Sequence, residues 1–413
     1  MKMYTLGTTG ITVPQNAFGA LPIQRVSLEA AVALLRRAYV GGMRFFDTAR
    51  AYSDSEVKMG AAFTEEWRKS LGITREDYYI ASKTQATTPE RFWEDLSTTL
   101  ANLKTEYLDI YQFHCVNQCF RPGDGTGMYE AMQEARDRGL IRHIGITAHK
   151  IGIAEEIVES GLYETLQFPF SYLASERELQ LVQRTADAGM GFIAMKGLSG
   201  GLLTNSAACM AFMLQYPVLP IWGIQREEEL DQWLSFFQGE AADVVNMKNR
   251  ESRESRESRE RRENRESGER RENREGGESR KSGESRKSGE RRESRENGER
   301  VETVAVLTPE LQAVIDRDRA ELLGDFCRGC GYCMPCTVGI QINNCARMSQ
   351  LIRRAPSKHF LGEEWQGLMG KIEECTNCGQ CKTRCPYGLD IPVLLKKNLE
   401  DYREILKDPK ILG

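Results

Sequence analysis

Short apolar segments that alternate with helical segments constrain the fold of residues 1–240 more than any other feature. The first strand-like segment is Asn16 to Gly19, and later ones centre on Phe45, Tyr79, Ile110, Ile144, Leu166, Phe192 and Val218. The segments between them carry apolar residues at helical spacing. Eight strand–helix units within about 240 residues predict an α/β fold, a (β/α)8 TIM barrel. A doubly wound sheet is the alternative, but no Gly-x-Gly-x-x-Gly sequence follows the first strand.

Three successive strand-like segments end in a side chain that can hold or transfer a proton. Asp47, Lys83 and His114 occupy these ends, and Tyr52 lies five positions after Asp47. A parallel barrel builds its active site where the strands end. Reduction of a carbonyl requires a proton at the oxygen, which a tyrosine can supply when a lysine lowers its pKa. We therefore expect these four residues to form a catalytic group for hydride transfer.

At these positions the chain resembles the aldo-keto reductase superfamily. The resemblance covers about residues 1 to 240 and rests on Asp47-Thr-Ala-x-x-Tyr52, Ser55-Glu56, Gly60, Lys83 and His114. It implies a barrel enzyme that moves a hydride between NADP(H) or NAD(H) and a carbonyl or alcohol. It also implies Tyr52 as the general acid and His114 as the group that orients the substrate. Lys83 and Asp47 would be the pair that tunes the acid.

The resemblance further implies a nucleotide held in an extended pose without a glycine-rich fingerprint. Thr147 and Gln167 match positions that contact the nicotinamide, and Met195 lies where an aromatic ring often stacks. Backbone N–H groups of the next loop are expected to bind the pyrophosphate, although a simple turn is the alternative; the loop residues are Lys196, Gly197, Leu198 and Gly200. Arg226 is the expected partner of a 2′-phosphate, which Glu229 would repel. The choice between NADP and NAD stays open.

Nine of the twelve cysteines fall in the last 90 residues, in two runs and one isolated position. The runs are Cys327-x2-Cys330-x2-Cys333-x2-Cys336 and Cys375-x2-Cys378-x2-Cys381-x3-Cys385-Pro386. Soft thiolates select iron–sulfur clusters or zinc. The second run has the spacing of bacterial ferredoxins, in which the cysteine before proline binds the other cluster. Zinc ribbons remain the alternative.

Eight of these cysteines suffice for two 4Fe–4S clusters. The expected ligand sets are Cys327, Cys330, Cys333 and Cys385 for one cluster, and Cys375, Cys378, Cys381 and Cys336 for the other. The first run departs from the ferredoxin pattern because Thr337 replaces proline and its last gap is shorter. Cys345 is left over as a buried thiol. The module resembles the dicluster ferredoxin-like domain found behind a bacterial and archaeal branch of aldo-keto reductases.

The composition changes abruptly between the barrel and the cysteine runs. Arg250 to Arg300 contains 18 Arg or Lys and 15 Glu, and otherwise only Ser, Gly and Asn. A segment without apolar residues cannot bury a core, so we expect an unpacked linker. An arginine-rich arm for nucleic acid is the alternative, but the interleaved Glu removes most of the positive charge. The expected domains are a barrel at 1–240, a linker at 241–300 and a small, mainly helical iron–sulfur domain at 301–413.

Charge and hydropathy narrow the class of partner. The formal net charge of −4 argues against nucleic acid. The absence of an apolar run of about 20 residues argues against a membrane span. The N-terminal residues lack the apolar core of a signal peptide, so we expect a cytoplasmic protein.

We therefore expect an NAD(P)-dependent oxidoreductase that acts on a small carbonyl or alcohol. Its barrel would be fused to a two-cluster electron-transfer domain that serves a one-electron redox partner. The alternative function is a redox-silent barrel that carries a redox-sensing module. Whether the two halves exchange electrons stays open, because a hydride carries two electrons and a 4Fe–4S cluster passes one.

Overall fold

Eight parallel strands close into a barrel in the first part of the chain. The computed structural model describes residues 1–237, 306–322, 326–354, 357–385 and 387–409, and the expected linker at 241–300 lies outside them. The strands are β1 Met3–Thr5, β2 Thr12–Pro14, β3 Ala17–Gly19, β4 Phe45–Asp47, β5 Tyr79–Thr84, β6 Leu108–Phe113, β7 Ile141–Thr147, β8 Thr165–Pro169, β9 Gly191–Met195 and β10 Leu219–Gly223. Strands β3 to β10 pair in chain order, and β10 returns to β3. The predicted TIM barrel is confirmed.

Helices follow the strands and form the outer layer of the barrel. They are α1 Leu28–Val40, α2 Ser55–Ala62, α3 Glu65–Leu71, α4 Pro89–Leu103, α5 Met128–Asp137, α6 Ile151–Ser160, α7 Glu176–Asp187, α8 Ser206–Met213 and α9 Glu227–Leu234, with 3-10 turns at Pro22–Arg25, Arg75–Asp77 and Ser235–Phe237. Apolar spacing predicts a single helix around Glu56 to Arg68, and this prediction is wrong because the structure has two helices there. The Thr64 hydroxyl accepts a hydrogen bond from the Trp67 backbone N–H at 3.3 Å, so a second helix begins there.

The two ends of the barrel differ in polarity. Strands β1 and β2 form a hairpin, and Leu6, Ile11 and Val13 from it pack on the strand residues at the N-terminal end. The side chains of a strand alternate between its two faces, so every second side chain points into the barrel. Along one strand, each successive inward side chain lies closer to the C-terminal end of the barrel. Phe45 therefore lies in the apolar cluster at the N-terminal end, which we call the apolar plug, whereas Asp47 faces the polar C-terminal end. The apolar plug leaves only the C-terminal end open to a ligand.

The cysteine-rich part is built from short helices and loops. Its helices are α10 Pro309–Leu322, α11 Ile342–Cys345, α12 Met348–Arg354, α13 Ser357–Phe360, α14 Glu363–Gly370, α15 Gln380–Thr383 and α16 Ile391–Lys407, with a 3-10 turn at Lys371–Glu374. The last helix supplies Leu395, Leu399 and Tyr402 to the core. The predicted mainly helical domain is confirmed. Within the described ranges, no helix combines the length and apolar character needed to cross a membrane.

This domain docks directly on the barrel. Helix α10 packs beside α8, where the Tyr172 hydroxyl donates to the Asp318 carboxylate and Arg319 Nε donates to the Tyr172 carbonyl at 2.6 Å. Farther along, Arg347 Nη1 donates to the Gly200 carbonyl at 2.9 Å. These bonds place the cysteine runs over the C-terminal end of the barrel.

Candidate active site and cluster sites

A buried ion pair joins the ends of the second and third barrel strands. Lys83 Nζ lies 2.7 Å from Asp47 Oδ2 and donates a second hydrogen bond to the Thr48 carbonyl at 2.6 Å. Both charged side chains are almost fully buried. Burial raises the pKa of the Asp47 carboxyl, and the Lys83 ammonium opposes that rise. A buried pair of this kind holds each partner in one place, because separating them would leave an uncompensated charge.

The phenol of Tyr52 lies against this pair. Lys83 Nζ is 5.0 Å from the centre of the Tyr52 ring, and the Tyr52 and His114 rings meet edge to face at 5.5 Å. Burial raises the pKa of Tyr52 well above its usual range, and the nearby Asp47 carboxylate raises it further. The sequence argument expects Lys83 to lower this pKa, and the net shift is nevertheless upward because burial is the larger effect. The acid is therefore fully protonated at neutral pH.

His114 completes the group of four. Burial and the nearby Lys83 ammonium lower the pKa of its imidazole to about 3, so the ring is neutral near pH 7. Its Nδ1 is buried, as are Asp47 Oδ1 and Gln112 Oε1, and these three atoms lack hydrogen-bond partners among the described residues. Buried polar atoms are nearly always paired with protein, water or ligand. The barrel interior thus fits a polar ligand at its C-terminal end.

The predicted nicotinamide contacts lie at the ends of neighbouring strands. The Thr147 hydroxyl accepts a hydrogen bond from the Cys115 backbone N–H at 2.7 Å, and Gln167 Oε1 accepts one from Gln112 Nε2 at 3.0 Å. Met195 ends β9 and is half-buried. These residues lie at the C-terminal ends of neighbouring strands, and their contacts with a nicotinamide stay a prediction.

In the loop after β9, backbone N–H groups and the space beside the glycines are already taken up by other parts of the chain. Backbone N–H groups of Ser199 and Gly201 donate to carbonyls within the loop, at 2.7 and 2.9 Å. A Cβ added to Gly200 would lie 2.5 Å from the Arg347 guanidinium, and one on Gly197 would lie 2.5 Å from the Trp222 ring. The space beside both glycines is therefore filled by side chains of the chain itself. The proposed pyrophosphate contacts of Lys196, Gly197, Leu198 and Gly200 stay a prediction.

The residue expected at a 2′-phosphate is already paired. Arg226 Nη2 lies 2.7 Å from Glu229 Oε1, and Glu229 Oε2 accepts the Gln225 backbone N–H at 2.9 Å. Trp233, four residues farther along the helix, stacks on Trp222 at 3.8 Å. In this arrangement the Glu229 carboxylate takes the position beside the Arg226 guanidinium that a nucleotide phosphate was expected to occupy.

The cysteines of the two runs lie near one another, and their division into two ligand sets stays a prediction. Burial is the main cause that raises the pKa of the Cys327 thiol and raises that of Cys333 to about 12. The neighbouring cysteines add to both shifts, namely Cys330 and Cys385 for Cys327, and Cys327, Cys330 and Cys385 for Cys333. The remaining four, Cys336, Cys375, Cys378 and Cys381, line one cavity together with Cys333. Their side chains form loose sets, since no three His, Cys, Asp or Glu of the described ranges stand close enough to hold one metal ion.

Comparison with known proteins assigns both parts of the chain. The sequence model of the aldo/keto reductase family matches residues 11–215, and that of a 4Fe-4S dicluster domain matches residues 326–390. The barrel belongs to the aldo/keto reductase family. The C-terminal part is a 4Fe-4S dicluster domain, as the resemblance predicts.

Individual relatives are distant and match the barrel only in part. The chain is 35% identical over 159 residues to the 7-acetyl-epi-neemfruitin B aldo-keto reductase of Melia azedarach, covering 35% of this chain and 48% of the relative. It is 28% identical over 221 residues to the L-galactose dehydrogenase of Arabidopsis thaliana, covering 50% and 68%. The chain thus spans about half to two thirds of the length of these relatives. A crystal structure of an aldo-keto reductase from Pseudomonas aeruginosa shares the fold, with a TM-score of 0.50, 19% identity, and coverage of 59% of this chain and 96% of that one.

Sequence analysis misses three side chains beside the catalytic group of this aldo/keto reductase barrel. The Tyr332 phenol oxygen lies 2.8 Å from Cys115 Sγ and 2.6 Å from His149 Nδ1, so one neighbour accepts its proton and the other donates to it. Cys115 follows His114 and adopts a positive φ of 58°, a strained conformation typical of functional sites. Cys115 and His149 follow the ends of strands and could have been identified by the rule that a parallel barrel builds its active site there. Tyr332 could not, because only the docking of the two domains brings it there.

Proposed function

We propose that the barrel catalyses hydride transfer between a nicotinamide nucleotide and a carbonyl or alcohol. The convergence of Asp47, Tyr52, Lys83 and His114 at the open end of the barrel is the observation that supports this proposal most directly. A redox-silent scaffold would gain nothing from a buried ion pair beside a buried phenol, since buried charges are costly to retain.

The four side chains have separate tasks in this proposal. A bound reduced nicotinamide would supply the hydride. Tyr52 donates its proton to the carbonyl oxygen as negative charge develops there. Its raised pKa keeps the proton in place until a strongly basic oxygen forms. The neutral imidazole of His114 donates a hydrogen bond to the same oxygen and orients the substrate.

Lys83 acts on the acid and not on the substrate. Two of its three N–H groups are bound by Asp47 and Thr48, which leaves the third directed away from them. Its positive charge, 5.0 Å from the Tyr52 ring, stabilises the phenolate that remains after proton transfer. Asp47 fixes the ammonium in that position.

The nucleotide would contact Thr147, Gln167 and Met195 at the strand ends. The pairing of Arg226 with Glu229 supports NADH as a donor at least as good as NADPH, because the expected partner of a 2′-phosphate faces a carboxylate that would repel the phosphate. Family members differ in this preference, so NAD(H) and NADP(H) both need to be assayed.

A matched pair of tyrosine variants tests the catalytic proposal. Tyr52→Phe should lower the turnover number by roughly 100-fold or more, the effect of losing a general acid. Tyr107→Phe is the control, because its buried hydroxyl has no partner within the described ranges and it precedes β6 at the opposite end of the barrel. Rates of NADH and NADPH oxidation with an aldehyde panel provide the measurement. Activity of Tyr52→Phe within a few-fold of wild type would remove Tyr52 from the mechanism.

We further propose that the C-terminal domain holds two 4Fe–4S clusters on the two cysteine sets. Cys378 of the second set is exposed, whereas Cys327 and Cys333 of the first set are buried, which supports access of a partner to the second set. An exposed site would allow a one-electron redox partner to reach the second cluster.

Iron analysis of anaerobically prepared protein tests this assignment. Wild type should contain about eight irons and eight acid-labile sulfides per chain. Cys385→Ser should remove the site of the first run and leave the site of Cys375, Cys378 and Cys381. Cys345→Ser is the matched control and should keep the full iron content, because the buried Cys345 thiol donates to the Leu368 carbonyl and belongs to neither cysteine run. Zinc, or four irons per chain in wild type, would contradict the two-cluster assignment.

A further inference from the structure

A cavity of about 230 Å³ lies between the barrel mouth and the 4Fe-4S dicluster domain. Both domains supply its walls, which are formed by Cys115, Val116, Asn117, His149 and Lys150 of the barrel and Tyr332, Thr383 and Arg384 of the other domain. Its volume is below the usual range of about 300 to 1,000 Å³ for sites that hold drug-sized ligands. It therefore suits a molecule of a few heavy atoms.

The walls of this cavity carry positive charge only. Lys150 and Arg384 are the charged residues of the lining, and no Asp or Glu is among these eight residues. No hydrogen bond or ion pair to the Lys150 ammonium is found within the described ranges. Arg384 makes two long hydrogen bonds of 3.3 Å, to the Pro335 carbonyl and to Gln380 Oε1, and keeps further N–H groups free. Two cations without an acidic partner favour a negatively charged ligand.

The cavity adjoins the catalytic group. Cys115 directly follows His114, and its backbone N–H is held by Thr147 at the end of β7. The phenol of Tyr332 contacts both Cys115 and His149, so the dicluster domain forms part of the wall at this point. A ligand in the cavity would lie beside the residue that orients the substrate oxygen.

Resting on the proposed function, we propose that this cavity binds the substrate and that the substrate is a small carbonyl compound bearing a carboxylate. Lys150 and Arg384 determine the specificity by binding the carboxylate, since guanidinium and carboxylate groups form short, charge-assisted hydrogen bonds. Tyr332, which contacts both Cys115 and His149, forms the side of the cavity next to the catalytic group. The dicluster domain thus contributes to substrate choice in addition to holding its clusters.

Substrate preference provides the first test. The full chain, reconstituted with iron and sulfide, is assayed with succinic semialdehyde and with pentanal, a neutral aldehyde of similar length. Lys150→Gln and Arg384→Gln should each lower the ratio of kcat/KM for the anionic over the neutral aldehyde by about tenfold. Arg384→Lys keeps the charge and should retain most of the preference. Lys397→Gln, an exposed lysine of α16 outside the cavity, should leave the ratio unchanged.

A binding experiment separates this inference from the proposed function. Malonate, a dicarboxylate that cannot be reduced, is titrated calorimetrically into the same proteins without nucleotide. Wild type should bind it, and Lys150→Gln and Arg384→Gln should each weaken binding about tenfold. Iron content is measured on each variant. Lys150→Gln serves as the second test because Lys150 belongs to the barrel and not to the cysteine runs.

The possible results have distinct meanings. Malonate binding that depends on both cations supports the site, even if no aldehyde is reduced and the proposed function fails. Reductase activity with an unchanged aldehyde ratio in both variants, at full iron content, would overturn the inference while leaving the proposed function intact. Malonate binding that is absent from wild type, or equal in wild type and both variants, would also overturn it.

Discussion

The buried imidazole of His114 should make the barrel sensitive to mild acid. Its pKa of about 3 in the folded chain lies far below the value of about 6.5 for a free histidine. The folded state therefore requires the neutral ring, whereas the unfolded chain can take up a proton below about pH 6.5. Stability from this group is complete above that pH and is lost as the pH falls toward the folded pKa. Replacing His114 with Gln should remove the effect.

The magnitude follows from the two pKa values. At about pH 5.5 the unfolded imidazole is roughly nine-tenths protonated, while the folded ring is neutral. Proton uptake then favours the unfolded state by about 1.4 kcal/mol, against less than about 0.1 kcal/mol near pH 7.5. Because the folded pKa lies well below 5.5, this difference does not depend on its exact value.

Urea unfolding followed by tryptophan fluorescence measures the effect on the barrel. The free energy of unfolding is determined near pH 7.5 and pH 5.5 for wild type and His114→Gln. The acid-induced loss should be smaller in His114→Gln by about 1.4 kcal/mol. Tyr52→Phe is a control in the same pocket and should keep the loss of the wild type. A difference below about 0.5 kcal/mol would show that His114 is protonated in the folded chain and that the mechanism cannot use a neutral imidazole.

Two further substitutions test the packing and the nucleotide preference. Glu229→Gln should release Arg226 and lower the KM for NADPH relative to NADH by about tenfold, measured in the reductase assay; an unchanged ratio would show that Arg226 does not reach the 2′-phosphate. Gly60→Ala would place a Cβ 2.1 Å from the Asn102 carbonyl, so α2 must move off α4 and stability should fall by roughly 2 kcal/mol in urea unfolding. Gly152→Ala, where a Cβ meets nothing within 4 Å, is the matched control and should instead stabilise α6 by about 0.5 to 1 kcal/mol; an equal loss in both variants would reject the steric argument.

Local patterns were sufficient to predict where the catalytic side chains lie. Asp47, Lys83 and His114 each end an apolar segment, and the geometry of a parallel barrel brings such ends together. The pairing of Arg226 with Glu229 could also have been predicted, because residues three apart on a helix are neighbours. The helix predicted around Glu56 to Arg68 divides after Ala62 because Thr64 caps a second helix. The apolar spacing continues across this point and therefore does not indicate the division.

Properties that depend on distant parts of the chain could not be predicted in this way. The high pKa of Tyr52 arises mainly from burial, which spacing along the sequence does not reveal. The filling of the loop after β9 depends on Arg347, 147 residues beyond Gly200. The contact of Tyr332 with His149 spans 183 residues and exists only because two domains dock. The sequence shows which residues are present in each domain but not how the two surfaces meet.

The direct docking of helix α10 on the barrel bears on how this chain could evolve. The position of the dicluster domain is set by contacts such as Arg319 with Tyr172, which do not involve the residues that join the domains. Each doubling in length of a connecting segment adds only about 0.6 kcal/mol to the cost of bringing its ends together. Tandem duplication between the domains would therefore be nearly neutral to selection. An insertion between α10 and Tyr332 would displace the wall of the cavity, so the same mutation would be tolerated on one side of α10 and eliminated on the other.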